Sequence, residues 1–225
     1  MATVLMTDKE IEEHVNIQMQ WDSRVAHEGI IVTVEDNEAT LSGTVPTYSD
    51  RLYAEENAKL VYGVTDVDNR LIVSLPGGTR LPTDAELRTN IESIIKWSSH
   101  LQDEKIDVSV QDRHVLLSGT VDAYWKKLRA TELTAAIQGV TEITNEITTV
   151  PTEHPADEET AQDIMDALSR NAHIDVDNIN LTVRDGHVTL SGNVNSMSEY
   201  RMINDIARYT FGVVNVINLL TVKFE

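Results

Sequence analysis

A serine followed by glycine can carry nucleophilic chemistry, and this chain has three such pairs: Ser42-Gly43, Ser118-Gly119 and Ser191-Gly192. A serine nucleophile needs a base to take its proton and donors to hold the oxyanion. No His keeps a fixed offset from all three serines, and without a shared imidazole base the repetition reads as structure and not as catalysis. No G-x-S-x-G elbow, phosphate-cradling G-x-x-x-x-G-K-[ST] loop or Rossmann glycine run occurs. The histidines are His14, His27, His100, His114, His154, His173 and His187; no two form an H-E-x-x-H pair, and they read as surface or strand-edge residues. "TDVDN" at 65–69 and "IDVDNIN" at 174–180 start like calcium loops but lack the remaining ligands, the glycine and the distal glutamate. The chain has no Cys, which removes thiolate nucleophiles and thiolate metal sites. The sequence therefore assigns no catalytic residue and no metal ligand, and it reads as a non-enzyme.

Binding is what remains, and charge limits the partners. The formal net charge is −19, which repels nucleic acid and anionic surfaces and gathers cations or basic partners. Solubility alone is the plainer reading of that charge. The N-terminus has no basic stretch, and its apolar run is too short for a signal-peptide core. No apolar run is long enough for a membrane span. The expected location is the cytoplasm, or the periplasm if a signal peptide has been removed.

The charge is uneven. Residues 1–73 hold five basic and fourteen acidic side chains, residues 74–149 eight and eleven, and residues 150–225 five and twelve. The basic excess of the middle stretch clusters in "AYWKKLRA" at 123–130, with Tyr124, Trp125, Lys126, Lys127 and Arg129. Cations at a helix start oppose the helix dipole. Tyr and Trp beside Lys suit a lipid headgroup layer or a protein interface. The structural alternative has Trp125 covering a core edge while the lysines solvate.

The elements that must position these residues come in three copies. Aligning the Ser-Gly pairs gives offsets of 76 and 73 residues. Gly63-Val64, Gly139-Val140 and Gly212-Val213 then coincide, as do Asn69, Asn145 and Asn218, and Asp8, Asp84 and Asp157. The expected domains are 1–73, 83–149 and 156–225, joined by Pro-bounded linkers at 74–82 and 150–155. Each opens on a helix, with capping-box spacing at Thr7/Glu10 and Thr83/Glu86 and apolar residues such as Ile11, Val15 and Met19 at helical spacing. Two alternating strands follow, joined by "EDNE", "QDRH" or "RDGH". Gly43, Gly119 and Gly192 fall on the inward face of the second strand, where a glycine lets a helix approach closely. A second helix is expected over 48–62, 124–138 and 197–211, ended by Gly63, Gly139 and Gly212 as left-handed caps. A third strand alternates through Val67, Asn69, Leu71 and Val73. The fold class is α+β: each domain α-β-β-α-β, with two helices on one face of a three-stranded mixed sheet.

This pattern resembles the BON domain, a bacterial osmotically inducible and nodulation module. The matching residues are the "V-x-D-x-x-V-x-L-x-G-x-V" run from Val34 to Val45, Gly63-Val64, and Val67, Asn69 and Leu71, with equivalents in the other two copies. The resemblance implies a stress-related binding module that contacts phospholipid headgroups or a partner protein, here through Tyr124, Trp125, Lys126, Lys127 and Arg129 of the middle domain. Similarity to a potassium-binding relative implies a second reading, an ion sensor with no other cofactor. Potassium can be held by backbone carbonyls, and the carbonyls preceding Gly63, Gly139 and Gly212 would be the ligands.

Overall fold

Local sequence starts each repeat. Thr7 accepts the Glu10 N–H at 3.4 Å while Glu10 accepts the Thr7 N–H at 2.7 Å, and Thr83 and Glu86 repeat the exchange at 3.3 and 2.9 Å. These boxes satisfy orphan donors of the first turn. Ala156 opens the third repeat with no side-chain cap, but three acids follow in its first turn, Asp157, Glu158 and Glu159.

The computed structural model describes residues 6–75, 77–151, 155–172 and 174–223. The first repeat comprises α1 (Asp8–Trp21), β1 (Ile30–Glu35), β2 (Glu38–Val45), α2 (Tyr48–Lys59), β3 (Asp66–Asn69) and β4 (Ile72–Val73). The second comprises α3 (Asp84–Trp97), β5 (Lys105–Gln111), β6 (His114–Val121), α4 (Tyr124–Ala135), β7 (Glu142–Asn145) and β8 (Thr148–Thr149). The third comprises α5 (Asp157–Ser169), β9 (Ile179–Arg184), β10 (His187–Val194), α6 (Met197–Tyr209) and β11 (Asn215–Val222). The α+β reading holds. The middle strand of the first and third sheets is antiparallel to the strand before it, and in all three sheets the middle strand is parallel to the strand after its crossover helix. His154 and His173 lie outside the described residues.

Two boundaries differ from expectation. The second helices end at Lys59, Ala135 and Tyr209, earlier than the glycines. Behind α2 the chain tightens into short turns, Leu60 N–H to Asn57 O and Val61 N–H to Ala58 O, both at 3.2 Å. Gly63, Gly139 and Gly212 do have positive φ, of 100°, 100° and 83°, but they follow those turns and do not cap the helix itself. The third strand is also split in two repeats, into β3 and β4 and into β7 and β8, whereas β11 runs unbroken over 8 residues.

The first helix of each repeat buries the stripe its spacing predicts, whereas α4 buries Ala130, Thr134 and Ala135 and leaves Leu133 half-buried. Ile11, Val15 and Met19 join Val32, Leu41, Ala54 and Ala58 in the first core. Leu87, Ile91 and Ile95 are buried in the second repeat, and Ile164 and Leu168 meet Val188, Leu190 and Ile203 in the third core. By compactness the chain gathers into two units. One runs to Gly119 and includes Arg129–Ile147; the other combines Thr120–Leu128 with Thr148 onward. The second unit takes in the start of α4, where Tyr124 packs half-buried against the third core.

Candidate docking surface

The repeated residues are accounted for first, because they remove themselves from the list of sites. Ser42 lies on the sheet face away from the core, and its hydroxyl donates to Ile31 O at 3.4 Å. The next residue has φ of +109°, +115° and +131° at Gly43, Gly119 and Gly192. A Cβ there would lie 2.1, 2.0 and 2.0 Å from the carbonyl oxygens of Gly29, Lys105 and Asn178. The close approach is thus by the backbone leading into the preceding strand, the end of a short 3-10 turn at His27–Gly29 and Val176–Asn178, and not by a packing α-helix as the sequence suggested.

The repeated aspartates brace the hairpins. Asp8 accepts the N–H groups of Asp36 and Asn37, both at 3.1 Å. Asp84 holds Asp112 and Arg113 at 2.8 and 2.9 Å, and Asp157 holds Asp185 and Gly186 at 2.8 and 3.0 Å. These turn residues all have positive φ, including the non-glycine Arg113 at 66°, the backbone of a type I′ turn. The Gly186 and Asp185 N–H groups hold the Asp157 carboxyl below its ordinary range. The repeated Asn69, Asn145 and Asn218 each accept the N–H two residues on, at 3.2, 3.0 and 3.0 Å.

The carbonyls near the potassium candidates are already in use. Val61 O, Ile137 O and Thr210 O accept N–H groups at 3.2, 3.3 and 3.4 Å, and Gly63 O accepts the Asn37 amide at 2.8 Å. A potassium ion there would have to take their second lone pairs.

The aromatic-basic stretch at the start of α4 is largely turned to internal contacts. Tyr124, Trp125, Lys126 and Lys127 are all half-buried. Lys126 pairs with Asp122 at 2.7 Å, its side chain only 17% exposed, and its ammonium lies 6.0 Å from the Trp125 ring centroid. That pairing explains a cation near a helix start: an acid four residues earlier offsets the dipole. Arg129 is exposed and pairs with Glu132 at 2.8 Å.

The structure places the most exposed tryptophans elsewhere. Trp21 and Trp97 are 83% and 84% exposed. They are the last residues of α1 and α3 and sit 76 residues apart, at one place in two repeats. The third repeat has Arg170 there. The sequence reading passes over both, although a signal exists. Each Trp lies two residues beyond a buried position, Met19 or Ile95, and residues two apart on a helix do not share a face. Beside Trp21, Asp22 is held well below the usual carboxylate range, chiefly by its hydrogen bonds from Arg24, and it also receives the Asn57 amide at 2.8 Å. The helix end that presents Trp21 is therefore pinned.

Among the described residues, no helix is long and apolar enough to cross a membrane, and no group of three or more His, Asp or Glu side chains is placed to hold a metal. The model of the BON domain family matches residues 7–74, 83–151 and 156–223. Osmotically-inducible protein Y of Escherichia coli strain K12 is 28% identical over 153 residues, 64% of this chain and 73% of that protein. Among solved structures, CdsD, a structural protein of the type III secretion system of Chlamydia trachomatis, is 12% identical with a TM-score of 0.27, covering 96% of this chain and 93% of that one. The periplasmic domain of PrgH, a type III secretion inner-membrane protein of S. typhimurium, is 12% identical with a TM-score of 0.23, covering 87% and 99%. Scores this low establish no shared arrangement of the whole chain.

Proposed function

Because the chain belongs to the BON domain family, with three copies in tandem, we propose that it is a non-enzymatic docking module of the osmotic-stress response that settles on a phospholipid headgroup layer through Trp21 and Trp97. The stress assignment rests on its relationship to an osmotically inducible protein. The docking assignment rests on one observation: two tryptophans at one place in two repeats, each more than four-fifths exposed. An indole combines a large apolar body with an N–H, which suits the boundary between hydrocarbon and water. The net charge of −19 favours a zwitterionic layer over an anionic one. Weak contacts from two repeats of one chain add through their high effective concentration.

The test is co-sedimentation with phosphatidylcholine vesicles, with Trp emission followed in parallel. The intact chain binds with a blue shift, and W21A/W97A binds roughly tenfold or more weakly, since burying each large aromatic contributes on the order of 2 kcal/mol. Absence of vesicle binding by the intact chain, or unchanged binding by the variant, overturns the reading.

A further inference from the structure

The three repeats share a fold but differ at one sheet edge. The last strand reads "DVDNRLIV" in the first repeat, "EITNEITT" in the second and "NVINLLTV" in the third. The first carries Asp66, Asp68 and Arg70, and the second Glu142 and Glu146; β11 carries no charge from Asn215 to Val222. Where the first two repeats have Asp68 and Arg70 or Thr144 and Glu146, the third has Ile217 and Leu219, 45% and 59% exposed. Both lie on the sheet face away from the core, beside Thr189 and Ser191 of β10. Among the described residues, β11 pairs only with β10.

The backbone of that edge is available as well. Lys223 N–H reaches Val194 O at 2.8 Å, so strand alternation turns the N–H groups of Val222, Leu220, Asn218 and Val216 outward. Asn218 satisfies the Leu220 N–H with its own side chain. Folded proteins protect such edges with charges, bulges or short strands. The first two repeats show that protection, with charges and split strands, and the third lacks both.

We propose that β11 is a self-association edge, at which a second copy of this chain adds its own β11 antiparallel to form one continuous sheet across a two-fold axis. Charge selects the occupant. Two copies carrying −19 each repel over most of their surface; in the same register the second repeat would hold Glu146 diagonally beside its own copy, and the first would set Asp68 opposite Arg70 of the second copy, an exposed ion pair in place of an apolar contact. The β11 edge is the one last-strand edge of the three that carries no charge, so two identical chains meet there without desolvating an ionised side chain. In an antiparallel pair centred on Asn218, each Ile217 lies opposite Leu219 of the second copy. Those apolar cross-strand pairs lose exposure together. Lys223, just beyond β11, falls at the two outer ends and stays apart from its copy.

Sedimentation velocity on the full chain over a concentration series tests this directly. The chain is expected to shift from monomer towards dimer. The variant I217T/L219E carries the residues that the second repeat has at the same positions, so the fold accommodates them. It should dimerise roughly tenfold or more weakly with its thermal melt unchanged. A mutation-free readout is amide exchange: Val216 and Asn218 should gain protection as concentration rises. A chain that stays monomeric throughout overturns the proposal. So does a variant that dimerises like the parent, or a dimer in which those amides gain nothing.

Discussion

Ser118 and Gly119 are neighbours with opposite tolerances. The serine faces away from the core, and its first-repeat counterpart Ser42 makes only a long bond to a carbonyl. The glycine has φ +115°, and an added Cβ would sit 2.0 Å from Lys105 O. Replacing Gly119 by Ala should cost about 3 kcal/mol, combining backbone strain with a clash against a carbonyl that belongs to the sheet. Ser118→Ala should change stability by less than about 0.5 kcal/mol. Denaturant midpoints compared at unchanged slope check the contrast. A nucleophilic role for the serine predicts the reverse emphasis, loss of an activity with stability intact. The sequence made the pair legible as structure because it occurs three times. It misplaced the close partner, because which backbone approaches a strand depends on how the chain enters the preceding strand, which side-chain periodicity does not encode. Trp21 and Trp97 were only half legible: their spacing from Met19 and Ile95 turns them off the buried face, but does not tell how far they stand out. Exposure at a helix end depends on where the helix stops and which face the chain then takes.

At the scale of elements, the helix starts were the most legible feature, since a capping box is a local exchange between residues three apart. Glu86 shows what that exchange does to titration. Hydrogen bonds from the Thr83 N–H, from Arg80 and from the Thr83 hydroxyl bring its carboxyl from 4.5 down to about 2. A carboxyl lowered on folding stabilises the native state above its unfolded value, and that contribution is lost as pH falls through the folded value. The start of α3 should therefore keep its full contribution above pH 4.5 and lose it towards pH 2. Glu86→Gln retains a capping side chain but removes the charge. Its stability should converge with that of the parent as acid is added, and the gap should be widest near neutrality. Urea melts of both proteins at several pH values give the difference, and a gap that widens in acid contradicts the assignment. The third strand was less legible. Alternation through Val67, Asn69, Leu71 and Val73 predicts one strand, yet β3 and β4 are separate and β11 is whole. The bond from the asparagine side chain to the N–H two residues on is present in all three repeats, so it does not set the difference. The contrast in charge along the edge was on the page in the sequence. Its meaning appears only once the strand is known to lie at the edge of its sheet.

For the whole molecule, the charge of −19 bears on both proposals at once, through salt. Repulsion between two acidic chains acts over the Debye length, which shrinks from about 30 Å at 0.01 M to about 8 Å at physiological ionic strength. The β11 strand carries no charge, so salt has no attractive ion pair there to weaken. Dimerisation through β11 should therefore strengthen as salt is raised, most steeply at the low end, and then level off as apolar pairing and backbone bonds take over. Docking of Trp21 and Trp97 on a zwitterionic layer should respond little over the same range, because neither the indole nor the net-neutral surface depends on counterions. Sedimentation and vesicle binding across one salt series separate the two. Dimerisation that falls with salt would mean that paired opposite charges hold the copies together, which an uncharged edge cannot provide. Vesicle binding that falls with salt would move the lipid contact from the tryptophans to basic side chains, with the aromatic-basic stretch from Tyr124 to Arg129 as the first place to substitute. The two tryptophans belong to the first two repeats and the neutral edge to the third. The salt series thus also asks whether three copies of one fold have divided docking and self-association between them.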